Sequence, residues 1–268
     1  MTTKVTGIVI NKQSYDDDSE IITVFTKELG KLAFFAPGVR KITSKNQYAV
    51  QWLATSTFEI FLSYQANKLS KLKTGNLLIT RIKLTQNYDD YLLVTLLCEI
   101  TEQAVEERSA DLKLYDLLAT ALDNLVAWED NLSVVIVFML QVLKWYGLQW
   151  NLTMCKRCGG KHNIKTISFI EEGYICKNCY LPTDYLFSIE LVKMFSTTSL
   201  DNFYFHNKIN VKEMIILFKM LCEYYLMKVG IFSYSIYEMQ KKSLILSKTL
   251  DIYKIYLKLG IFLIYRGK

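Results

Sequence analysis

Two cysteine pairs, Cys155-Lys-Arg-Cys158 and Cys176-Lys-Asn-Cys179, are separated by seventeen residues and dominate the second half of the chain. Each pair has the C-x2-C spacing of a zinc knuckle, and two such pairs supply the four thiolates of a tetrahedral zinc site. Adjacent glycines (Gly159, Gly160, Gly173) let the backbone turn so that N–H groups can point at sulfur. Because protein ligands fill all four positions, the spacing predicts one structural, not catalytic, zinc ion. Two disulfides or four unrelated buried cysteines are the alternatives.

The composition is that of a globular protein. Of 268 residues 51% are apolar, and two prolines and eleven glycines favour long regular elements. The start, MTTKVTGIVI, lacks the basic and apolar regions of a signal peptide. The longest charge-free runs, 46–58 and 131–143, are too short to span a bilayer. We therefore expect a cytoplasmic protein with reduced thiols and no membrane span, in which Cys98 and Cys222 are small buried hydrophobes.

The net charge of +6 is unevenly distributed. Residues 1–80 carry ten basic and six acidic groups, whereas residues 81–150 carry five basic and eleven acidic groups. This asymmetry predicts a polyanion-binding face on the first part of the chain alone.

Short strands fill the first 80 residues. Alternating or β-branched runs separated by turn residues mark five of them, at 5–10, 21–25, 32–36, 57–62 and 68–74. A sheet this small has exposed edges unless it closes, so the pattern predicts a small closed barrel.

From about residue 81 the apolar period becomes helical. Helices are predicted over 88–108, 112–128, 132–146, 188–195 and 211–229. The cysteine segment, 150–182, interrupts them, with a hairpin from 167–170 and 173–175. The predicted organisation is a barrel over 1–80, a helical domain over 81–242 with the insertion at 150–182, and a tail over 243–268.

The tail is an apolar stretch with polar residues every three or four positions, namely Lys248, Asp251, Lys254 and Lys258. This pattern predicts an amphipathic helix with a narrow basic face. Packing against the helical domain is one interpretation, and docking to a membrane surface or a partner is the other.

Catalytic signatures are missing from the sequence. It contains neither a phosphate-binding G-x-x-x-x-G-K-[ST] loop nor a G-x-S-x-G elbow, and its two histidines are His162 and His206. The acidic run Asp16–Asp18 is interpreted as a solvated turn between strands rather than a magnesium site. We expect a protein that is not an enzyme.

Basic residues concentrate in the barrel. Between Lys27 and Lys73 there are eight basic and two acidic groups, interleaved with aromatic residues. Cations that follow phosphates and rings that stack on bases are how a small barrel holds single strands. The candidate DNA-binding residues are Arg40, Lys41, Lys45, Lys27, Lys31, Lys71, Lys73 and Tyr48. The alternative is an ordinary solvated lysine face.

This combination resembles the RecO family of bacterial recombination mediators. The similar stretches are Gly7–Ile10, Tyr15 to Glu20, Ile22–Lys31 and the loop Pro37-Gly38-Val39-Arg40-Lys41, together with the cysteine cluster. The resemblance covers about residues 5–240. It implies an α+β protein with an N-terminal OB-fold β-barrel, followed by an all-α domain carrying a zinc-ribbon-like insertion with four cysteines.

The resemblance also implies a function and partners. Members bind single- and double-stranded DNA, promote strand annealing, and act with RecR to help RecA replace single-strand-binding protein, whose acidic C-terminal peptide docks in the helical domain. A nucleoid-associated location follows. Arg40 and Lys41 match the barrel positions that contact DNA in that family. The alternatives are a zinc-ribbon scaffold for a polymerase or ribosomal partner and, against the closed cysteine cage, a zinc-dependent hydrolase.

Overall fold

A computed structural model describes residues 2–65, 68–127, 131–148, 150–196, 210–230 and 238. The first part is a barrel of five strands, and the rest is helical apart from one small sheet. The barrel strands are β1 (Thr3–Ser14), β2 (Glu20–Thr26), β3 (Gly30–Ala36), β4 (Thr55–Phe61) and β5 (Ser70–Ile79). All five predicted strands are confirmed, with ends displaced by up to five residues. The predicted tail, 243–268, lies outside the described residues.

The strands close in the order β1-β2-β3-β5-β4, with β4 returning to β1. Every neighbouring pair is antiparallel except β3 and β5, which run parallel through Phe34–Ser70 and Phe35–Lys71. This five-stranded Greek-key closure is the OB-fold arrangement and leaves the small sheet without a long open edge. The α+β fold class with an N-terminal OB-fold barrel is therefore confirmed.

Alternating side chains fill the barrel. Along β3, buried and half-buried residues alternate strictly from Gly30 to Ala36, as expected when one face of a strand points inward. Phe34 and Phe58 are fully buried and pack with ring centroids 5.3 Å apart. The interior is thus a packed core, and binding chemistry must lie on the outside.

The helical part begins with a 3-10 turn (Ile82–Thr85) and contains α1 (Tyr88–Ala104), α2 (Leu112–Ala127), α3 (Asn131–Val142), α4 (Ile189–Ser196) and α5 (Val211–Tyr224). Asn87 caps α1 by accepting a hydrogen bond from the Asp89 N–H. The helix predicted over 88–108 is shorter than expected, since the chain is already extended at Val105. A π-helical turn (Tyr225–Val229) ends α5 at Gly230.

The insertion is a three-stranded sheet of β6 (Asn151–Cys155), β7 (Ile164–Ser168) and β8 (Gly173–Cys176), ordered β6-β8-β7. The predicted hairpin is confirmed as the antiparallel pair β7–β8. The strand β6 was not predicted; it runs parallel to β8. We refer to residues 151–184 as the ribbon.

Barrel and helices share one continuous apolar core. Ile8, Phe25 and Leu53 of the barrel belong to the same buried cluster as the interior residues of α1, α2 and α3. Cys98 and Cys222 lie in this cluster, which confirms that they are buried hydrophobes. The domain limits at 80 and 242 remain a prediction about chain organisation.

A buried arginine joins the two parts. Arg81, with a side chain 2% exposed, pairs with Asp123 of α2 at 2.7 Å. Its guanidinium also donates to the Leu53 carbonyl at 2.9 Å and the Thr55 hydroxyl at 2.8 Å. A buried charge is tolerated only when it is fully hydrogen-bonded, so Arg81 fixes the helices to the barrel at one point.

Candidate nucleic-acid interface and metal centre

The four predicted cysteines converge. The sulfur atoms of Cys155, Cys158, Cys176 and Cys179 all lie within 4.8 Å of one another, and none forms a disulfide. The Cys158 and Cys176 sulfurs are 3.6 Å apart; a tetrahedral zinc ion with bonds of about 2.3 Å needs sulfur separations of about 3.8 Å. Four thiols at this separation could hold a metal ion. Within the described ranges they are the one group of three or more His, Cys, Asp or Glu side chains with this property.

Backbone geometry at the first knuckle favours a thiolate at Cys155. The Gly159 N–H donates to the Cys155 carbonyl at 2.8 Å, with Gly159 at a φ of 72° that suits glycine. Burial opposes ionisation of Cys155, but backbone N–H groups of Cys176, Cys158 and Arg157 point at its sulfur and lower its pKa to about 6. Hydrogen bonds with the Cys158 and Cys176 thiols have the opposite effect on Cys179 and raise its pKa to about 12. A thiolate is the form that binds metal, so Cys155 is the member of the cluster that is best prepared to bind an ion.

Arg157, inside the first knuckle, ties the ribbon together. Its guanidinium forms a two-pronged ion pair with Asp184 at 2.7 and 2.8 Å. It also donates to the Cys179 carbonyl at 2.7 Å and to Glu171 at 3.2 Å. Bidentate pairs of this kind fix both partners. Sequence reasoning missed this network, because nothing in the local pattern pairs residue 157 with residue 184.

The ribbon is attached to the helices by aromatic packing and polar links. Trp150 stacks at 6.3 Å on Phe195 of α4 and meets Tyr224 of α5 edge-on at 5.3 Å. The Tyr224 hydroxyl donates to Glu172 at 3.0 Å, and Lys228 pairs with the same carboxylate at 3.3 Å. The ribbon that carries the cysteine cluster is therefore packed against the helical region, remote in sequence from the barrel.

On the barrel, Arg40 and Lys41 lie beside the acidic turn between β1 and β2. The Arg40 N–H donates to the Asp18 carbonyl at 2.9 Å, and Lys41 pairs with the Asp18 carboxylate at 3.2 Å. The Asp16 side chain accepts from the N–H groups of Asp18 and Ser19, so the acidic run is a solvated turn, as predicted. Both members of the Lys41–Asp18 pair are about half exposed. Such a pair is weak in water, so a phosphate can replace Asp18.

Lys45 and Tyr48 are exposed on the loop that Asn46 joins to β5 beside Lys73. Asn46 accepts from the Gly75 N–H at 2.9 Å and donates to the Lys73 carbonyl at 3.4 Å, which joins the loop to β5. The Tyr48 ring is 61% exposed. Lys73 pairs with Glu59 at 2.8 Å, and hydrogen bonds from Lys73 and Thr2 lower the pKa of Glu59 to about 2. We call this surface, with the preceding pair of cations, the loop face; its members are Arg40, Lys41, Lys45, Tyr48 and Lys73.

Lys71 lies two residues from Lys73 on β5. Side chains two apart on a strand share a face, and both lysines are exposed. Lys71 is opposite Phe35 of β3 and Phe61 of β4. The β4–β5 register shifts by one residue at Lys73, but both lysines are exposed on either side of the buried Leu72, which places Lys71 on the outer side of β5 with Lys73.

Lys27 and Lys31 lie at the other end of the β2–β3 hairpin, about 23 Å from the acidic turn for a seven-residue strand. Lys31 donates to the Glu102 carbonyl at 2.7 Å, and the Lys27 ammonium lies 5.1 Å from the Tyr115 ring centre. Gly30, at φ 67°, faces the loop after α1 so closely that a Cβ there would lie 2.0 Å from the Ser109 carbonyl oxygen. Both lysines therefore contact the helical region and are not part of the loop face.

An additional cation lies near that end of the barrel. Arg108, in the segment between α1 and α2, donates to the Ser63 carbonyl and lies 5.9 Å from the Tyr64 ring, which is 82% exposed. Sequence reasoning did not include it, since Arg108 belongs to an acidic segment and reaches the barrel only through the fold.

A cleft of about 520 Å3 opens where the ribbon meets α4. Its lining includes the apolar residues Ile164, Leu186 and Ile189 and two lysines, Lys165 and Lys177. Leu186 and Ile189 are about half exposed. The cleft combines apolar contact surface with positive charge, and sequence reasoning did not identify it.

None of the helices in the described part of the chain is long and apolar enough to cross a membrane.

Comparison with known proteins gives the family. Residues 1–81 match the family model "Recombination protein O N terminal", and residues 85–231 match "Recombination protein O C terminal". A DNA repair protein RecO of Mesoplasma florum is 34% identical over 242 residues, covering 89% of this chain and 91% of that protein. RecO proteins of Mycoplasma capricolum and Listeria monocytogenes are 33% and 27% identical, over 86% and 74% of this chain and 94% and 78% of their own lengths. The chain belongs to the RecO family of DNA repair proteins.

Proposed function

We propose that this protein is a DNA-binding recombination mediator that acts without catalysing a reaction. It would bind single- and double-stranded DNA, promote annealing, and act with RecR to help RecA replace single-strand-binding protein. The observation that carries the proposal is the loop face, an exposed group of four cations and one tyrosine on the OB-fold barrel of a DNA repair protein.

The mechanism follows from electrostatics. Lysine and arginine side chains replace counterions on the phosphates, and an exposed ring such as Tyr48 offers a stacking surface for an unpaired base. Two complementary strands held on one cationic surface repel each other less, so they pair faster. This mechanism needs no bond cleavage and no nucleotide hydrolysis.

A structural zinc ion completes the proposal. The ion would crosslink the two knuckles of the ribbon. Its ligands would be Cys155, Cys158, Cys176 and Cys179. The residues that surround the cluster, Arg157 and Asp184, orient the knuckles. The cluster serves the fold of the ribbon and takes no part in DNA contact.

The cleft beside the ribbon suits the acidic C-terminal peptide of single-strand-binding protein. Lys165 and Lys177 can pair with carboxylates while apolar side chains take up an apolar end. Anisotropy of a labelled acidic peptide should show weaker binding to Lys165→Ala/Lys177→Ala. The exposed ribbon lysine Lys161, changed to alanine, serves as the control and should leave the affinity unchanged.

Salt-dependent binding of a labelled oligonucleotide tests the DNA proposal. Arg40→Ala/Lys41→Ala should weaken single-strand binding about tenfold and lower the salt slope by about 1.4, or 0.7 for each lost phosphate contact. The control is Lys113→Ala/Lys212→Ala, which removes the same charge from exposed positions on α2 and α5.

If both double variants lower the affinity equally, binding depends on net charge and the loop face is not the site. If the wild-type protein binds no DNA while its ribbon still binds a protein partner, the alternative of a zinc-ribbon scaffold for a polymerase or ribosomal partner is correct. An assay of RecA loading onto DNA covered by single-strand-binding protein, with and without RecR, tests the mediator role itself.

A further inference from the structure

One apolar surface of the molecule is exposed to an unusual degree. It extends from the end of β5 through the 3-10 turn to the start of α1, within fifteen residues of chain. Its side chains are 37–55% exposed: Leu77, Leu78, Ile79, Ile82, Tyr88 and Tyr91. We call this the β5–α1 patch. Leu77 and Ile79 lie on one face of β5 and Leu78 on the other, so apolar side chains are exposed on both faces at the end of this strand. Exposed apolar groups so close together in the chain mark a contact site.

The fold explains why the patch is exposed. The strand β3 pairs with β5 at Ser70 and Lys71, so the last residues of β5 extend past it with β4 on one side. The Tyr91 ring lies 5.1 Å from Trp52, which anchors the helical side of the patch to the barrel. The patch therefore lies at the junction of barrel and helices, where the contact between Tyr91 and Trp52 holds its helical side in place.

A residue near the end of the chain contacts the β5–α1 patch. Beyond Gly230, Glu238 accepts a hydrogen bond of 3.5 Å from the Tyr88 hydroxyl, at the first residue of α1. Residue 243 is five residues further on, which is at most about 17 Å of extended chain. Residues 243–268 thus begin within easy reach of the patch.

The chemistry of residues 243–268 complements the patch. Fifteen of these 26 residues are apolar or aromatic, too many to leave in water. Five basic and one acidic residue accompany them, whereas residues 81–150, which include α1, carry a net charge of −6. The second family model ends at residue 231, so this segment is not part of the matched pattern.

We propose that residues 243–268 pack against the β5–α1 patch of the same chain. Apolar side chains of the segment cover Leu78, Ile82 and their neighbours, and its lysines face the acidic helical region. This contact is intramolecular, and it requires neither a membrane nor a second copy of the protein.

Hydrogen exchange of the full chain, without lipid and at two protein concentrations, tests this proposal. Peptides from 243–268 should exchange at least about tenfold more slowly in the wild type than in Leu78→Asp/Ile82→Asp. The matched control is Leu181→Asp/Leu186→Asp, which places the same charges on equally exposed leucines of the ribbon region and should preserve the protection. Conversely, ending the chain after Lys242 should speed exchange of peptides from 77–91.

Three results would overturn the proposal. The first is equal exchange of 243–268 in the wild type and in the patch variant. The second is protection that appears only with vesicles of anionic lipid, which would assign the segment to a membrane surface. The third is protection that disappears on dilution, which would assign it to a second copy of the chain.

Discussion

The loop face and the cysteine cluster are two sites of one chain that are specified in opposite ways. The cluster depends on four side chains that must meet within a few ångströms, so its residues occur at fixed spacings in sequence. The loop face depends on summed charge, to which any exposed lysine contributes. Convergent sites can therefore be recognised from spacing, whereas a charged surface can be assigned only once side-chain directions are known.

The largest expected effect tests whether the two regions are independent. Cys155→Ser removes one ligand of the proposed zinc ion, and because structural zinc binding is worth about 10–16 kcal/mol in small domains, the ribbon should lose that ion and its order. Zinc content should fall from about one ion per chain to near zero, and exchange of residues 151–176 should accelerate. Oligonucleotide affinity should change less than about threefold.

The control for this variant is Cys98→Ala, which alters a buried cysteine outside the cluster. It should lower the free energy of unfolding by about 1 kcal/mol and leave the zinc content unchanged. Loss of DNA binding in Cys155→Ser, with the barrel still folded, would show that the loop face and the cysteine cluster are coupled.

The second largest effect concerns Arg81, which joins the barrel to the helical region that carries the ribbon. Arg81→Met should lower the free energy of unfolding by about 3 kcal/mol, because the Leu53 carbonyl and Thr55 hydroxyl lose a buried donor. Asp123→Asn should cost about 1 kcal/mol, since the Asp123 side chain is 54% exposed and the amide oxygen of asparagine can still accept from the guanidinium. Urea denaturation measures both. Equal losses would mean that the ion pair, and not the hydrogen bonds to the barrel, holds the junction.

A smaller expected effect is a difference in oligonucleotide affinity between variants at the two ends of the barrel. Lys45→Ala/Lys73→Ala should weaken oligonucleotide binding about fivefold, whereas Lys27→Ala/Lys31→Ala should change it less than about twofold, because those two ammonium groups contact the helical region. Anisotropy titrations at two salt concentrations make the comparison. The reverse order would move the DNA path to the junction, near Arg108 and Tyr64.

The smallest expected effect is an increase in the affinity for single-stranded DNA. Asp18→Asn removes the carboxylate that pairs with Lys41, so single-strand affinity should rise about twofold. Asp116→Asn, which makes the same change at an exposed position on α2, is the control and should leave the affinity unaltered. A decrease for Asp18→Asn would mean that the acidic turn positions Arg40 rather than competing with phosphate.

Much of the fold could be predicted from local pattern. Strand alternation and β-branched runs identified all five barrel strands, and apolar spacing identified the five helices. The strand β6 escaped because its five residues mix polar and apolar types, and it is a strand only through its pairing with β8. The end of α1 at Ala104 escaped because acidic residues continue a helical pattern into the turn that contacts Gly30.

The site was predictable to a different extent in each region. Spacing alone gave all four members of the cysteine cluster. For the barrel, the sequence identifies the basic residues but not their directions. Lys27 and Lys31 contact the helical region at the other end of the hairpin from Arg40, and their part in DNA binding stays a prediction. Arg81 and Arg157 escaped because their partners, Asp123 and Asp184, are 42 and 27 residues away in the chain.

The apolar core shared by barrel and helices limits how this protein can be divided. A fragment ending at residue 80 would expose Ile8, Phe25 and Leu53, which are now fully buried under helices, and would also lose Arg81. Such a fragment would self-associate, and its affinity for DNA would describe an aggregate. Topological boundaries here do not define separable pieces, so any division of labour between barrel and ribbon has to be measured by substitution in the intact chain.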